Sequence, residues 1–399
     1  MQEFDQENFV HEQVEKTKEL VGKHKALVAV SGGVDSTASA VVVHRAIGSN
    51  LLCVMLDDAF MREGEPERIA EILEEDPLTL PVKVLNVQER FLKALEGLKD
   101  AEEKRMMFRE TFYKVLGETA KKEGCKVLVQ GTIKADVIET TGGIKTQHNV
   151  LDQMGINTVD RYGFKVVEPL VSLYKEEVRK VARYLKIPPE ISERQPFPGP
   201  GLSVRVVGEI KRDKLSSEKK ATAIVEENFA KHNPSQYLAA ILDNQTTNSS
   251  QHTHNRAKAA HLLNVPSSQV SFKVLQSKAT GVVKGKRRYG KIGVLGAQRR
   301  NGTSHSPSIS SLVALQTKII TQDLSFSRIF YTLKERAEKQ PYVVVLRAID
   351  THDFLTAKVS EIPWKTLEET AERILESCSN VASVYYDVTP KPPATIEME

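Results

Sequence analysis

Residues 26–30, 51–56, 82–87 and 126–130 form four short runs rich in Val and Leu, each the length of a buried strand. Between them the periodicity is helical. Phe9, Val10, Val14, Leu20 and Val21 fall on one face of an entry helix, residues 37–46 form a small-residue helix, residues 66–73 open with Pro66 in a first helical turn, and residues 89–123 carry further helical patterns. Strand followed by helix, repeated, predicts an α/β fold: a doubly wound parallel sheet with helices on both faces and ligands bound beyond the carboxyl ends of its strands.

The pattern breaks at Arg194-Gln195-Pro196-Phe197-Pro198-Gly199-Pro200-Gly201, where Pro and Gly exclude helix and central strand, so the segment closes a domain or faces a ligand. Residues 245–251 and 299–311 are polar and read as exposed insertions. Further on, strand 291–297, helix 312–320 and strand 328–333 are followed by strand 342–349, helix 367–375 and strand 381–388. This βαβ order repeats with a period of about 54 residues when Phe330-Tyr331 is aligned on Val384-Tyr385, through duplication or through shared patterning alone. The expected division is an α/β domain over 1–207 and a smaller α+β domain over 208–399, the latter with βαβ units at 290–340 and 341–399.

The 399 residues allow two or three domains, and 40% hydrophobic with 27% charged residues is a folded balance. Lys and Arg (56) exceed Asp and Glu (52) by only 4, too even for a chain that coats nucleic acid or an anionic membrane. No apolar run approaches the roughly 18 residues that cross a bilayer, and residues 1–20 lack the basic-then-apolar order of a signal peptide. Cys53, Cys125 and Cys378 form neither a disulfide framework nor a paired zinc-ligand spacing. These features fit a soluble cytoplasmic protein, with no nucleic-acid or membrane partner.

Ser31-Gly32-Gly33-Val34-Asp35-Ser36 lies between the first apolar run and a helix. Two glycines admit an anion close to the backbone, Ser31, Ser36 and Thr37 offer hydroxyls, and the helix start offers amides and the positive end of its dipole. This is a phosphate cradle without the ending of a Walker loop or the spacing of a dinucleotide fingerprint. At the end of the second run, Leu56, Asp57 and Asp58 lie where a ribose sits in such a crevice.

The cradle resembles the loop of the N-type ATP pyrophosphatases. That resemblance implies ATP as substrate, with residues 31–37 around its β- and γ-phosphates, Leu56, Asp57 and Gly131 completing the ATP site, and Asp35 helping to bind Mg²⁺, whose charge offsets the departing pyrophosphate. Four further stretches resemble the GMP synthetase family: Gln130-Gly131-Thr132 followed by Asp136-Val137-Ile138-Glu139; Ile144-Lys145-Thr146-Gln147-His148-Asn149; the loop 196–201; and Lys391-Pro392-Pro393-Ala394-Thr395-Ile396-Glu397. Lys104-Arg105, and Gly281-Val282-Val283 ahead of Arg287 and Tyr289, add weaker matches.

The resemblance implies that Arg105, Pro198, Gly199, Gly201, Lys391, Ile396 and Glu397 bind XMP. It also implies that residues 132–150 are a lid on which Lys145 stabilises charge while Asp136 and Glu139 orient XMP or Mg²⁺. In the family's reaction the C2 oxygen of XMP attacks the α-phosphorus of ATP, and ammonia then displaces AMP to give GMP. No cysteine sits on the Gly-flanked turn of a glutaminase nucleophile, so ammonia is expected from solution or from a separate glutamine amidotransferase subunit, as in the split synthetase of archaea. The extra βαβ copy resembles longer eukaryotic-type enzymes and leaves monomer or homodimer open.

Three departures stand out: Gln147 replaces a usual histidine, Gln195 another, and Asp58-Ala59 an Asn-Gly pair. Amide for imidazole keeps hydrogen bonding but loses a titratable proton carrier. Two rivals therefore stay open, a tRNA-modifying sulfurtransferase of the same superfamily and a non-catalytic nucleotide-binding subunit.

Overall fold

The computed structural model describes residues 4–141, 158–159, 163–247, 253–283, 285–298, 305–351 and 355–399. The chain divides into two compact units, Met1–Leu95 with Arg105–Gly201 and Glu96–Lys104 with Leu202–Glu399. The cut thus falls after Gly201 where the sequence suggested 207, and a short segment of the first half belongs with the second unit.

In the first unit α1 (Gln6–Val21) starts at Asp5, whose carboxylate accepts from the Glu7 and Asn8 amides, and stops at Gly22 with φ 60°. There follow β1 (Lys25–Ala29), α2 (Val34–Ile47), β2 (Leu51–Asp57), α3 (Glu65–Glu74), β3 (Val82–Asn86) and α4 (Gln88–Leu95). Next come α5 (Ala101–Glu123), β4 (Cys125–Val129), α6 (Lys134–Thr141), β5 (Lys165–Val167), α7 (Lys175–Tyr184) and α8 (Pro189–Ser192). The helical pattern over 89–123 is thus two helices, separated where Gly97 takes φ 75°.

The five strands are all parallel, in the order β3-β2-β1-β4-β5. Strand order reverses between β1 and β4, so the loops leaving their carboxyl ends open a crevice at the switch point. Helices α1, α2 and α7 pack together over the sheet, with Val10, Val21, Val42, Val178 and Val181 in one core with Val28 and Met55. Burial of nearly every residue of β2 explains its unbroken apolar run.

The second unit contains α9 (Arg212–Phe229), β6 (Gln236–Asp243), α10 (Thr253–Leu263), β7 (Val270–Val283), β8 (Lys286–Ala297) and α11 (Ile309–Gln322). It continues with β9 (Phe326–Glu335), β10 (Tyr342–Asp350), β11 (Lys358–Val359), α12 (Trp364–Ser377) and β12 (Val381–Asp387). The sheet runs β11-β10-β12-β9-β8-β7, with β6 also on β10. Two sets of elements share one pattern. In α10-β7-β8-α11-β9 the first two strands are antiparallel and β8 is parallel to β9; in α9-β6 plus β10-α12-β12 the same senses recur, β6 antiparallel to β10 and β10 parallel to β12. The first set is inserted in the chain between β6 and β10 of the second, and antiparallel β9 and β12 join them. Each repeated unit is therefore larger than the βαβ seen in the sequence, because a leading helix and strand belong to it. One apolar face gathers Leu238, Leu275, Val294, Phe330, Val345 and Tyr385 from all six long strands, and the C-terminal Met398 is buried among them.

Candidate nucleotide site

Helix α2 begins directly on the cradle, with Gly33 as its N-cap and no side chain satisfying its first amides. Those amides and the dipole remain available to an anion. The Ser36 hydroxyl donates to Gly33 O at 3.1 Å and lies 3.2 Å from the Ser31 hydroxyl, folding the loop on itself. Gly32 has φ 72°, and a Cβ there would stand 3.0 Å from the Ile69 side chain, so both conformation and space call for glycine. At Gly131, just past β4, a Cβ would stand 2.7 Å from Ser36 N and 2.8 Å from Asp35 C; absence of a side chain lets the two switch-point loops touch backbone to backbone. Thr37 is fully buried and its hydroxyl has no hydrogen-bond partner, while Ser31 is exposed.

Both carboxylate oxygens of Asp35 accept from Lys175 Nζ, at 2.9 and 2.7 Å. Burial pushes the Asp35 carboxyl above its usual range, against the Lys175 ammonium that favours its charged form; Asp136 adds to the rise and Arg179 opposes it. Lys175 was missed in the sequence. It opens α7, where the helix dipole disfavours a cation, so a basic residue in a first helical turn was the available signal. Asp136 accepts from the Ile133 amide at 2.9 Å as α6 begins, and the Thr132 hydroxyl donates to Glu168. Among the described residues no three His, Cys, Asp or Glu side chains converge as a metal cage. Asp35 with Asp136 nearby fits Mg²⁺, which takes one or two protein carboxylates and fills its shell from phosphates and water.

At the end of β2, Asp57 accepts from Gln88 Nε2 at 2.6 Å and Leu56 is buried. The Asp58 carboxylate accepts from the Phe60 amide at 2.8 Å, closing a turn in which Ala59 has φ 76°. That conformation accounts for the glycine of the usual Asn-Gly pair, and Ala59 occupies it with a side chain. Glu139 is placed only by its backbone in α6; Lys145, Gln147 and His148 lie outside the described residues.

The proline-glycine loop is fastened within the first unit. The Gly201 amide donates to Pro198 O at 2.9 Å, and Gly201 has φ 58° at a point where a Cβ would collide with Phe60 O. Phe197 lies under the Arg62 guanidinium at 4.2 Å, Arg194 pairs with Glu65, and Gly199 is exposed at the tip. Arg105 is half-buried on α5.

In the second unit Lys391 is half-buried and pairs its amide and carbonyl with Ala357, both at 2.9 Å. Ile396 packs on the core, and Glu397 takes a two-point contact from Arg205 with both distances 3.0 Å. Behind that pair Glu218 is fully buried, and burial pushes its carboxyl up to about 8. Lys104, a weak match in the sequence, has a structural place: its ammonium donates to Ser203 O, Val206 O and Gly208 O and pairs with Glu399.

A cradle at the switch point of a five-stranded parallel sheet defines a PP-loop fold, and residues 6–188 match the family model described as PP-loop domain. Residues 332–398 match the GMP synthase C terminal domain. The chain is 42% identical to a protein of Sulfurisphaera tokodaii named as one subunit of glutamine-hydrolyzing GMP synthase, over 99% of this chain and 100% of the relative. A protein of the same name from Methanopyrus kandleri is 39% identical over the same shares. The chain belongs to this family of glutamine-hydrolyzing GMP synthase subunits. Among solved structures, an NH3-dependent NAD synthetase from Campylobacter jejuni is similar at 19% identity and a TM-score of 0.37, covering 48% of this chain and 77% of its own.

Proposed function

We propose that this chain makes GMP from XMP, ATP and ammonia, releasing AMP and pyrophosphate, and receives its ammonia from a separate glutamine amidotransferase subunit. The observation that carries the reading is the full-length relation to the GMP synthase subunits, with the phosphate cradle and the Lys391–Glu397 string both in place. The cradle, Gly131 and the unclaimed amides of α2 hold the phosphates of ATP. The C2 oxygen of XMP attacks the α-phosphorus and pyrophosphate leaves; ammonia then displaces AMP. Asp35 and Asp136 would help to hold Mg²⁺, which would supply positive charge toward the pyrophosphate. Lys175 donates to both carboxylate oxygens of Asp35 beside the cradle, and in this reading its ammonium turns to the phosphates when ATP binds. In this reading Arg105, Pro198, Gly199, Gly201, Lys391, Ile396 and Glu397 bind XMP, and Lys145 with Glu139 serve the lid.

Sulfur transfer is less well supported. It needs an accessible thiolate, whereas all three cysteines are buried and burial pushes the Cys53 thiol up to about 12. The deciding measurement is pyrophosphate release from ATP in the presence of XMP and ammonium without any glutaminase. Turnover should require XMP and vanish in Asp35→Ala. Release that ignores XMP, or tight ATP binding with no turnover, rejects the assignment.

A further inference from the structure

The segment 389–399 lies outside the regular strands and helices, so its backbone polar groups each need a particular partner. The outer set of elements supplies some: Arg347 on β10 donates to Thr389 O at 2.9 Å and Thr395 O at 3.0 Å, and the Ala357 amide donates to Lys391 O. The inserted set supplies others. From β7, the Val282 amide donates to Pro393 O at 2.7 Å and the Thr280 amide to Met398 O at 2.8 Å. From β9, Arg328 donates to Thr395 O and Thr395 Oγ1, both at 2.9 Å, and to Glu397 O at 2.5 Å. Gly281 leaves room for this contact, since a Cβ would stand 3.0 Å from Pro393 O and 2.8 Å from Ser327 Cβ.

Arg328 is fully buried, Arg347 is almost so, and both guanidinium groups meet one carboxylate oxygen of Asp387, at 2.6 and 2.7 Å. Two buried cations on one carboxylate are costly unless further acceptors satisfy their remaining N–H groups. Tail oxygens serve the terminal guanidinium nitrogens of both arginines, while the two Nε groups have no hydrogen-bond partner. The second arginine is thus explained by the segment it holds, not by the ion pair alone.

We propose that the inserted elements act as a template for the tail, and that Arg328 is a positioning residue which sets the conformation presenting Lys391 and Glu397 to XMP. The proposal rests on the reading that the tail carries XMP contacts. It assigns to α10-β7-β8-α11-β9 a part in substrate affinity beyond completing the sheet.

Two variants test it. Arg328→Lys keeps a cation beside Asp387 but lacks the planar fork that reaches several tail acceptors at once. Thr395→Val removes one acceptor of that fork from the tail side, together with the hydroxyl's own donations to Thr280 O and Glu397 O, and leaves β9 untouched, which keeps the test available if the buried substitution fails to fold. Each should raise KM for XMP roughly tenfold, leave KM for ATP within about twofold, and speed hydrogen exchange of the 394–398 amides with β9 and β10 protected as before. An unchanged KM for XMP overturns the proposal. So does a joint rise in both KM values with a lowered thermal midpoint, the mark of general loosening. Equilibrium binding of XMP to the parent protein separates the two readings: if the parent does not bind XMP the functional assignment fails, and the exchange experiment still decides whether Arg328 orders the tail.

Discussion

Ala59 shows how a single side chain can depart from its family without disturbing the fold. Its φ of 76° is left-handed, which costs an L-residue about 1–2 kcal/mol, and it is buried in the turn closed by Asp58. Ala59→Gly removes that strain and returns part of the gain as entropy of the unfolded chain, so a net stabilisation of roughly 0.5–1 kcal/mol is expected as a higher urea midpoint for the first unit. Glu218 is the corresponding case in electrostatics. With Arg205, Glu397 and Glu226 as its charged neighbours and burial dominant, its folded pKa of about 8 lies above the ordinary 4.5. The folded state keeps a proton that the unfolded state gives up, so this contribution is complete below about pH 4.5 and is lost as pH rises through about 8. Glu218→Gln should flatten the decline of thermal midpoint between pH 5 and 8; an equally steep decline would show that another group carries it. Neither feature could be read from composition: an alanine carries no mark of its φ, and a glutamate in a charged helix looks solvated until its neighbours are known.

At the scale of elements, the switch-point crevice depends on two loops whose backbones touch through Gly131. A Cβ 2.7 Å from Ser36 N forces one loop to move, and the fixed start of α2 leaves little room for it to do so. Gly131→Ala is therefore expected to lower kcat/KM for ATP by roughly a hundredfold while circular dichroism stays that of the parent, since the clash lies at loop ends outside the strand cores. Full activity would mean that the loop after β4 does not frame the nucleotide. Strands β1 to β4 were legible because buried parallel strands need continuous apolar runs, and the cradle because its glycines and hydroxyls are contiguous. The Asp35–Lys175 pair was not, because nothing local joins residues 140 apart.

For the whole molecule, the two αββαβ sets meet through antiparallel β9 and β12 inside one chain and bury a common apolar face. An edge that would otherwise seek a second copy is paired internally. Light scattering is expected to give a mass near 44.5 kDa at every concentration tested; a concentration-independent dimer would show that another surface drives assembly. Periodicity and contiguous motifs were enough to establish strand–helix alternation, the phosphate cradle and a repeated βαβ order, because each depends on residues close together in the chain. Tertiary structure alone decided that one set of elements is inserted within the other, that Lys175 faces Asp35, and that Arg328 and Arg347 share Asp387 beneath the tail. Those pairings join residues separated by 40 to 140 positions, and a sequence pattern has no range at which such partners choose one another until the sheets have formed.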